Sequence, residues 1–183
     1  RSVEDQFHRF TVSGCDIPCG MKNPTSGNLA SMTHAIFAAQ QPQNFIYRGN
    51  EVETTGNPFA HGILRGMDSS TGEKIPNYHR DSILAVSKLF QQQNILNPAL
   101  IIDTNHSNSN KKYMEQIRIS KDIVTLRNQC TTSHHLIKGL MIESYLEDGS
   151  QPEWGTTYGQ SITDPCLGWS KTKRLLLELA EIL

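Results

Sequence analysis

The chain has 183 residues, 37% apolar and 19% charged, with 17 basic and 18 acidic side chains for a net charge of −1. That length suits one domain with its own core and is too short for two ordinary ones. The balanced charge excludes an overall basic field that would gather nucleic acid or an anionic membrane surface.

Residues 2–13, with Val3, Phe7 and Phe10, predict an amphipathic helix. "CDIPCGMKNPTSG" (15–27) reads as a short apolar strand, then Lys22, then a turn rich in Asn, Pro and Gly. A second helix follows, with Leu29, Met32, Ile36 and Phe37 on one face. "NFIYRGNEVETT" (44–55) predicts a β-hairpin around Gly49, and "HGILRG" (61–66) a buried strand ending in Arg65. A loop containing Lys74, taken as solvated, leads to a helix over Arg80–Gln93. "ALIIDTNH" is the next strand, with His106 just past its end, and a long helix starts near Lys111. "IKGLMIESYL" (137–146) is another strand and carries Glu143. A Gly-rich loop runs to "YGQSITDPCLGW" (158–169), which contains Asp164. The last helix covers Lys171–Ile182, with Leu175, Leu176, Leu179 and Ile182 facing inward.

Strands thus alternate with helices four times. The strands are near-continuous apolar runs, as expected of a parallel sheet buried on both faces. Lys22, Arg65, His106 and Glu143 each stand at a strand's carboxyl end, and ligands of parallel α/β folds bind at that rim. His106, Glu143 and Asp164 form a nitrogen-and-oxygen donor set suited to Mn, Fe, Co or Zn. Asp164 precedes Pro165 and equally suits the first turn of a helix. Lys22 and Arg65 suit a phosphate or carboxylate, Arg through its bidentate fork; an ion pair with Glu143 or Asp164 is the plainer reading. Lys111 and Lys112 would oppose the dipole of a helix starting there, and are read as solvated. "GMDSSTGEK" lacks the spacing of a P-loop. The four cysteines show no paired metal spacing, so reduced thiols and a cytoplasmic setting are expected. No apolar run is long enough to span a bilayer and no leader peptide is visible, although the chain opens on Arg1 without a Met.

Taken in order, "RSVEDQFHR", "PCGMKNPTSG", "HGILRG", "IIDTNHSNSNKKY", "GLMIESYLEDG" and "TYGQSITDPCLGW" resemble the type I 3-deoxy-D-arabino-heptulosonate 7-phosphate (DAHP) synthases along essentially the whole chain. The resemblance implies a (β/α)8 TIM barrel with a divalent metal. Its activity is the condensation of phosphoenolpyruvate with erythrose 4-phosphate, the first step of the shikimate pathway of aromatic amino acid biosynthesis. Carried over residue by residue, His106, Glu143 and Asp164 match metal ligands. Arg1, Lys22 and Arg65 match residues that hold phosphoenolpyruvate, and Lys22 and His106 match catalytic positions. Whether His106 is a ligand only or also relays a proton is left open.

A full barrel averages about 250 residues. The expected fold is therefore a single partial TIM-barrel domain over 1–183, the C-terminal half (strands five to eight), with a small inserted β-hairpin. The resemblance also implies a Cys ligand on the first barrel strand and a K-P-R-T segment after the second, and neither is in this chain. The 44–55 hairpin resembles, in shorter form, an insertion that regulated members use to bind aromatic amino acids. Asp16 stands where feedback-sensitive members often have Ser. Two readings follow: the catalytic half of a DAHP synthase, inactive by itself, or a half barrel that at most binds phosphate ligands or self-associates. The expected partners are the two substrates, with no nucleic acid or membrane, and either a second copy or a missing N-terminal half.

Overall fold

In a computed structural model, residue 3 and residues 5–183 are described. Helix α1 (Gln6–Ser13) begins where Asp5 accepts a hydrogen bond from the Phe7 amide at 2.8 Å, later than the sequence predicts. Strand β1 (Gly20–Lys22) follows. Asn28 caps α2 (Leu29–Gln40), accepting from the Ser31 amide at 3.0 Å. The buried face of α2 is Met32, Ala35, Ile36 and Ala39, whereas Phe37 is 42% exposed, a correction to the predicted face. A stripe at helical spacing is completed by the two alanines, which the larger side chains hid in the sequence.

Strands β2 (Asn44–Tyr47) and β3 (Asn50–Glu53) pair antiparallel, and the turn places both Arg48 and Gly49 at positive φ. That is the turn whose twist suits a two-residue hairpin. Strand β4 (His61–Leu64) leads into a second hairpin, β5 (Met67–Asp68) and β6 (Lys74–Ile75), where only a loop is predicted. Lys74 pairs with Asp68 at 2.8 Å instead of standing free in solvent. Helix α3 (Arg80–Gln92) and strand β7 (Leu100–Asp103) lie where the periodicity puts them. Helix α4 (Glu115–Gln129) starts later than Lys111, because Asn110 and Lys111 sit at φ 53° and 56°, outside the right-handed region. A short helix α5 (Thr131–Leu136), absent from the sequence reading, precedes β8 (Ile137–Met141).

The main sheet runs β1-β4-β7-β8, every pair parallel. This is an α/β fold with its strands in chain order. Met21, Leu64, Leu100 and Ile102 join Met32, Ile36, Ile83, Val86, Phe90, Ile119 and Ile123 in one buried cluster between sheet and helices. By register, Lys22, Ile63 and Ile101 lie on the opposite face, with Asp103 beside Met141. The last helix, α6 (Trp169–Ile182), buries Leu175 and Leu179 in a second cluster. Leu176 and Ile182 are 49% and 44% exposed, so the predicted inward stripe is narrower than four leucine-like positions. Among the described residues no helix is long and apolar enough to cross a membrane.

Candidate metal centre

The turn after β7 is fixed by buried amides. Asn108 donates to the carbonyls of Leu64 (3.1 Å) and Asp103 (2.7 Å) and accepts from the Asn77 amide at 2.9 Å. Asn23, also fully buried, accepts from the Arg65 amide at 3.0 Å and donates to the Gly66 carbonyl at 2.9 Å. These bonds tie the ends of β1, β4 and β7 into one rim. His106 sits in that turn at φ 48°. A non-glycine residue there costs about 1–3 kcal/mol and persists only where its surroundings dictate it. Here the Ser107 amide is bonded to the Arg65 carbonyl (3.1 Å) and the Lys111 amide to the His106 carbonyl (2.8 Å).

The left-handed turn brings the imidazole among carboxylates. Its Nδ1 lies 2.8 Å from Asp103 Oδ2 and 3.5 Å from Glu143 Oε1; its Nε2 lies 3.6 Å from Asp164 Oδ2. The Nδ1–Asp103 contact is close but off the line of an N–H bond, so this buried nitrogen makes no hydrogen bond of good geometry. Asp103 is fully buried and also receives Lys22 Nζ at 2.6 Å. Burial alone would push its carboxyl up, but His106 and Lys22 outweigh it and hold the group below the usual carboxylate range.

Glu143 is positioned at both levels. Gln116 accepts from its amide (2.8 Å) and donates to its carbonyl (3.0 Å), and Asn105 Nδ2 donates to its Oε2 at 2.6 Å. Asp164 is not a helix cap, since α6 begins at Trp169 after Gly168; its carboxylate instead meets Lys111 Nζ at 3.0 Å. Lys111 is therefore paired, not simply solvated.

Lys22 pairs with Asp103 and not with Glu143 or Asp164, the partners that the plainer reading supposed. Arg65 is half-buried at the end of β4, and among the described residues its guanidinium makes no ion pair or hydrogen bond. Arg1 lies outside the described residues. Sequence reasoning missed Asp103, Asn105 and Gln116. Asp103 left one signal: an acid closing a buried apolar strand needs a compensating partner.

His106, Glu143 and Asp164 each offer a ligand atom within 4.8 Å of the others. Bonds of about 2.0–2.2 Å place the donors of one ion at most about 4.4 Å apart, so closure by tenths of an ångström would suffice. The buried Nδ1, without a well-aligned partner, faces the half-buried Glu143 carboxylate, and Nε2 faces that of Asp164; one imidazole nitrogen with two carboxylates is a donor set that fits a divalent ion. Volume does not locate this cluster: an apolar hollow of about 480 Å³ lies elsewhere, between β8, α4 and α6, lined by Ile123, Leu140, Leu176 and Leu179.

A profile described as the DAHP synthetase I family matches residues 1–177. The Trp-sensitive phospho-2-dehydro-3-deoxyheptonate aldolase of Escherichia coli K12 is 39% identical over 189 residues, covering 98% of this chain and 51% of that protein. The Tyr-sensitive enzyme of Salmonella typhimurium LT2 is 38% identical over 188 residues, covering 98% and 50%. The solved phospho-2-dehydro-3-deoxyheptonate aldolase of Francisella tularensis SCHU S4 superposes with a TM-score of 0.84 at 33% identity, over 98% of this chain and 52% of that one. The chain thus spans about half the length of these relatives.

Proposed function

The chain belongs to the DAHP synthetase I family, and from that premise we propose that it is the C-terminal half of a DAHP synthase. In this reading residues 1–183 are one partial TIM-barrel domain holding strands five to eight. The whole enzyme joins phosphoenolpyruvate, erythrose 4-phosphate and water into DAHP and phosphate. The observation that carries the reading is the convergence of His106, Glu143 and Asp164 on one rim with Lys22. The four parallel strands in chain order support the half barrel.

A divalent ion (Mn, Fe, Co or Zn) held by His106, Glu143 and Asp164 would supply Lewis-acid polarisation of the aldehyde carbonyl. The chain's own residues orient the other substrate. Lys22, aimed by Asp103, presents a fixed ammonium, and Arg65 presents its guanidinium fork to the phosphate or carboxylate of phosphoenolpyruvate. Arg1 is assigned to the same anion on the family pattern. Held there, C3 of phosphoenolpyruvate bonds to the aldehyde carbon, water adds at C2, and the C2–O bond to phosphate breaks. Fixing two anions in reacting geometry is a large part of the rate. His106 joins this ligand set to the buried Asp103 carboxylate, which lies 2.8 Å from its Nδ1.

The Cys ligand and the K-P-R-T segment of the family are not among these residues, so turnover is assigned to the two halves together. The partner of this chain is accordingly the N-terminal half of the barrel, or a second copy. A cytoplasmic setting belongs to the same reading, supported by four free cysteines. The test is binding: phosphoenolpyruvate should bind the chain in the presence of Mn(II) and lose affinity in Arg65→Ala. Failure of the unaltered chain to bind either ligand overturns the reading.

A further inference from the structure

Asn105 is fully buried in the turn after β7 and reaches the two other elements of the candidate centre. Its amide nitrogen Nδ2 donates to Glu143 Oε2 at 2.6 Å and to the Pro165 carbonyl at 3.3 Å. Its Oδ1 accepts from Ser109 Oγ at 2.8 Å, and its backbone amide donates to Asp103 Oδ1 at 3.0 Å. The orientation of the side-chain amide follows from chemistry. A carboxylate and a peptide carbonyl can only accept, so a flipped amide would set oxygen against oxygen twice.

These contacts separate two jobs. Gln116 holds the main chain of Glu143 through its amide and its carbonyl. Asn105 holds the Glu143 side chain, occupying Oε2 and leaving Oε1 turned toward His106 at 3.5 Å. The bond to Pro165 pins the residue next to Asp164, so the same amide sets the turn that carries the third carboxylate. We infer that Asn105 is a positioning residue: one side-chain amide, immediately before His106, sets Glu143 and the Asp164 turn relative to the imidazole. The inference rests on the metal-centre reading, and it assigns a role to a residue outside the three candidate ligands.

The experiment pairs Mn(II) calorimetry with hydrogen exchange on the metal-free chain. The amides read are Cys166, bonded to the Gly149 carbonyl, and Leu167, bonded to the Glu143 carbonyl. Asn105→Ala should weaken Mn(II) binding by about 10- to 100-fold, the usual effect of losing an outer partner of a ligand. It should also speed exchange at both amides while the β4 amides keep theirs. Should Asn105→Ala fail to fold, Ser109→Ala removes the 2.8 Å bond that holds Oδ1, together with a longer 3.4 Å contact to the His106 carbonyl, and should weaken binding by up to about 10-fold. Unchanged affinity in a folded Asn105→Ala, or in Ser109→Ala where that variant stands in, overturns the inference and leaves the metal reading standing. If the unaltered chain binds no Mn(II), the metal reading falls. The positioning role is then decided by exchange: faster at Cys166 and Leu167 in the variant supports it, unchanged overturns it.

Discussion

Lys22 and Asp103 meet at 2.6 Å across an intervening strand, since β4 lies between β1 and β7. The lysine side chain is 17% exposed and the aspartate not at all. The pair therefore joins the ends of β1 and β7 over the end of β4, and it directs the ammonium along the rim where His106 also stands.

Removing one partner leaves the other charge buried. Lys22→Ala is expected to cost about 3–5 kcal/mol, the usual penalty for breaking a buried pair. Urea unfolding measures it. In the double variant Lys22→Ala, Asp103→Asn, the loss should fall short of the sum of the singles by about 1–3 kcal/mol. Additivity of the two would show that the pair is not coupled.

The three candidate ligands should act as a unit. His106→Ala and Glu143→Ala are each expected to abolish measurable Mn(II) uptake at micromolar protein, while Arg65→Ala leaves it intact and weakens phosphoenolpyruvate instead. Calorimetry with each ligand separates the two classes. Equal metal affinity in His106→Ala and the unaltered chain would contradict the assignment.

Gly66 stands at φ 78°, and a Cβ there would lie 2.7 Å from the Asn108 amide nitrogen and 2.8 Å from Ser107 Cβ. Gly66→Ala therefore strains the backbone and pushes on the turn that holds His106. The left-handed conformation alone costs about 1–2 kcal/mol, so a clear fall in melting temperature is expected. An unchanged melting curve would mean that the turn yields freely.

Asp148 caps α6 by accepting from the Gly168 amide at 2.7 Å, and it also pairs with Lys171. The Lys171 ammonium, then the amide, hold its carboxyl below the ordinary value. A depressed acid stabilises the fold above its unfolded pKa, near 3.8, and that contribution disappears as pH falls through the lower folded value. Asp148→Ala should thus cost about 0.5–2 kcal/mol at neutral pH, as other lost caps do. Its stability should converge on that of the unaltered chain as pH falls through the lower folded value. Circular dichroism melts across pH 2–7 test this; a constant difference across the range would refute it.

Among the described residues β1 and β8 each have a single neighbour in the sheet. Edge strands with unpaired amides template pairing with another chain, and β8 adjoins the apolar hollow beside Leu176. The isolated 183-residue chain is expected to associate at low micromolar concentration, and to release no phosphate from the two substrates by itself. Light scattering with a coupled phosphate assay gives both results. A stable monomer would refute the association, and turnover lost in Lys22→Ala would refute the inactivity.

The alternation of strands and helices is legible in the residues alone, and so is the rim to which Lys22, Arg65, His106 and Glu143 belong. Both are local properties: a short apolar run such as Leu100–Ile102 must find cover, which Leu100 and Ile102 have in full and Ile101 in part, and the side chain that follows it must leave the sheet at that end. The 44–55 hairpin was legible for the same reason, through a two-residue turn around Gly49. Tertiary structure decided the rest. The start of α4 depends on left-handed residues at Asn110 and Lys111, which no periodicity records. Phe37 and Leu176 are apolar yet exposed because small neighbours complete the buried stripe of α2 and the stripe of α6 is narrow. Asp103 reads as the end of a strand and Asn105 as a turn former until Lys22, Glu143 and Pro165 arrive from distant parts of the chain. A polar side chain's role is set by the partner it reaches through space, and only the fold supplies that partner.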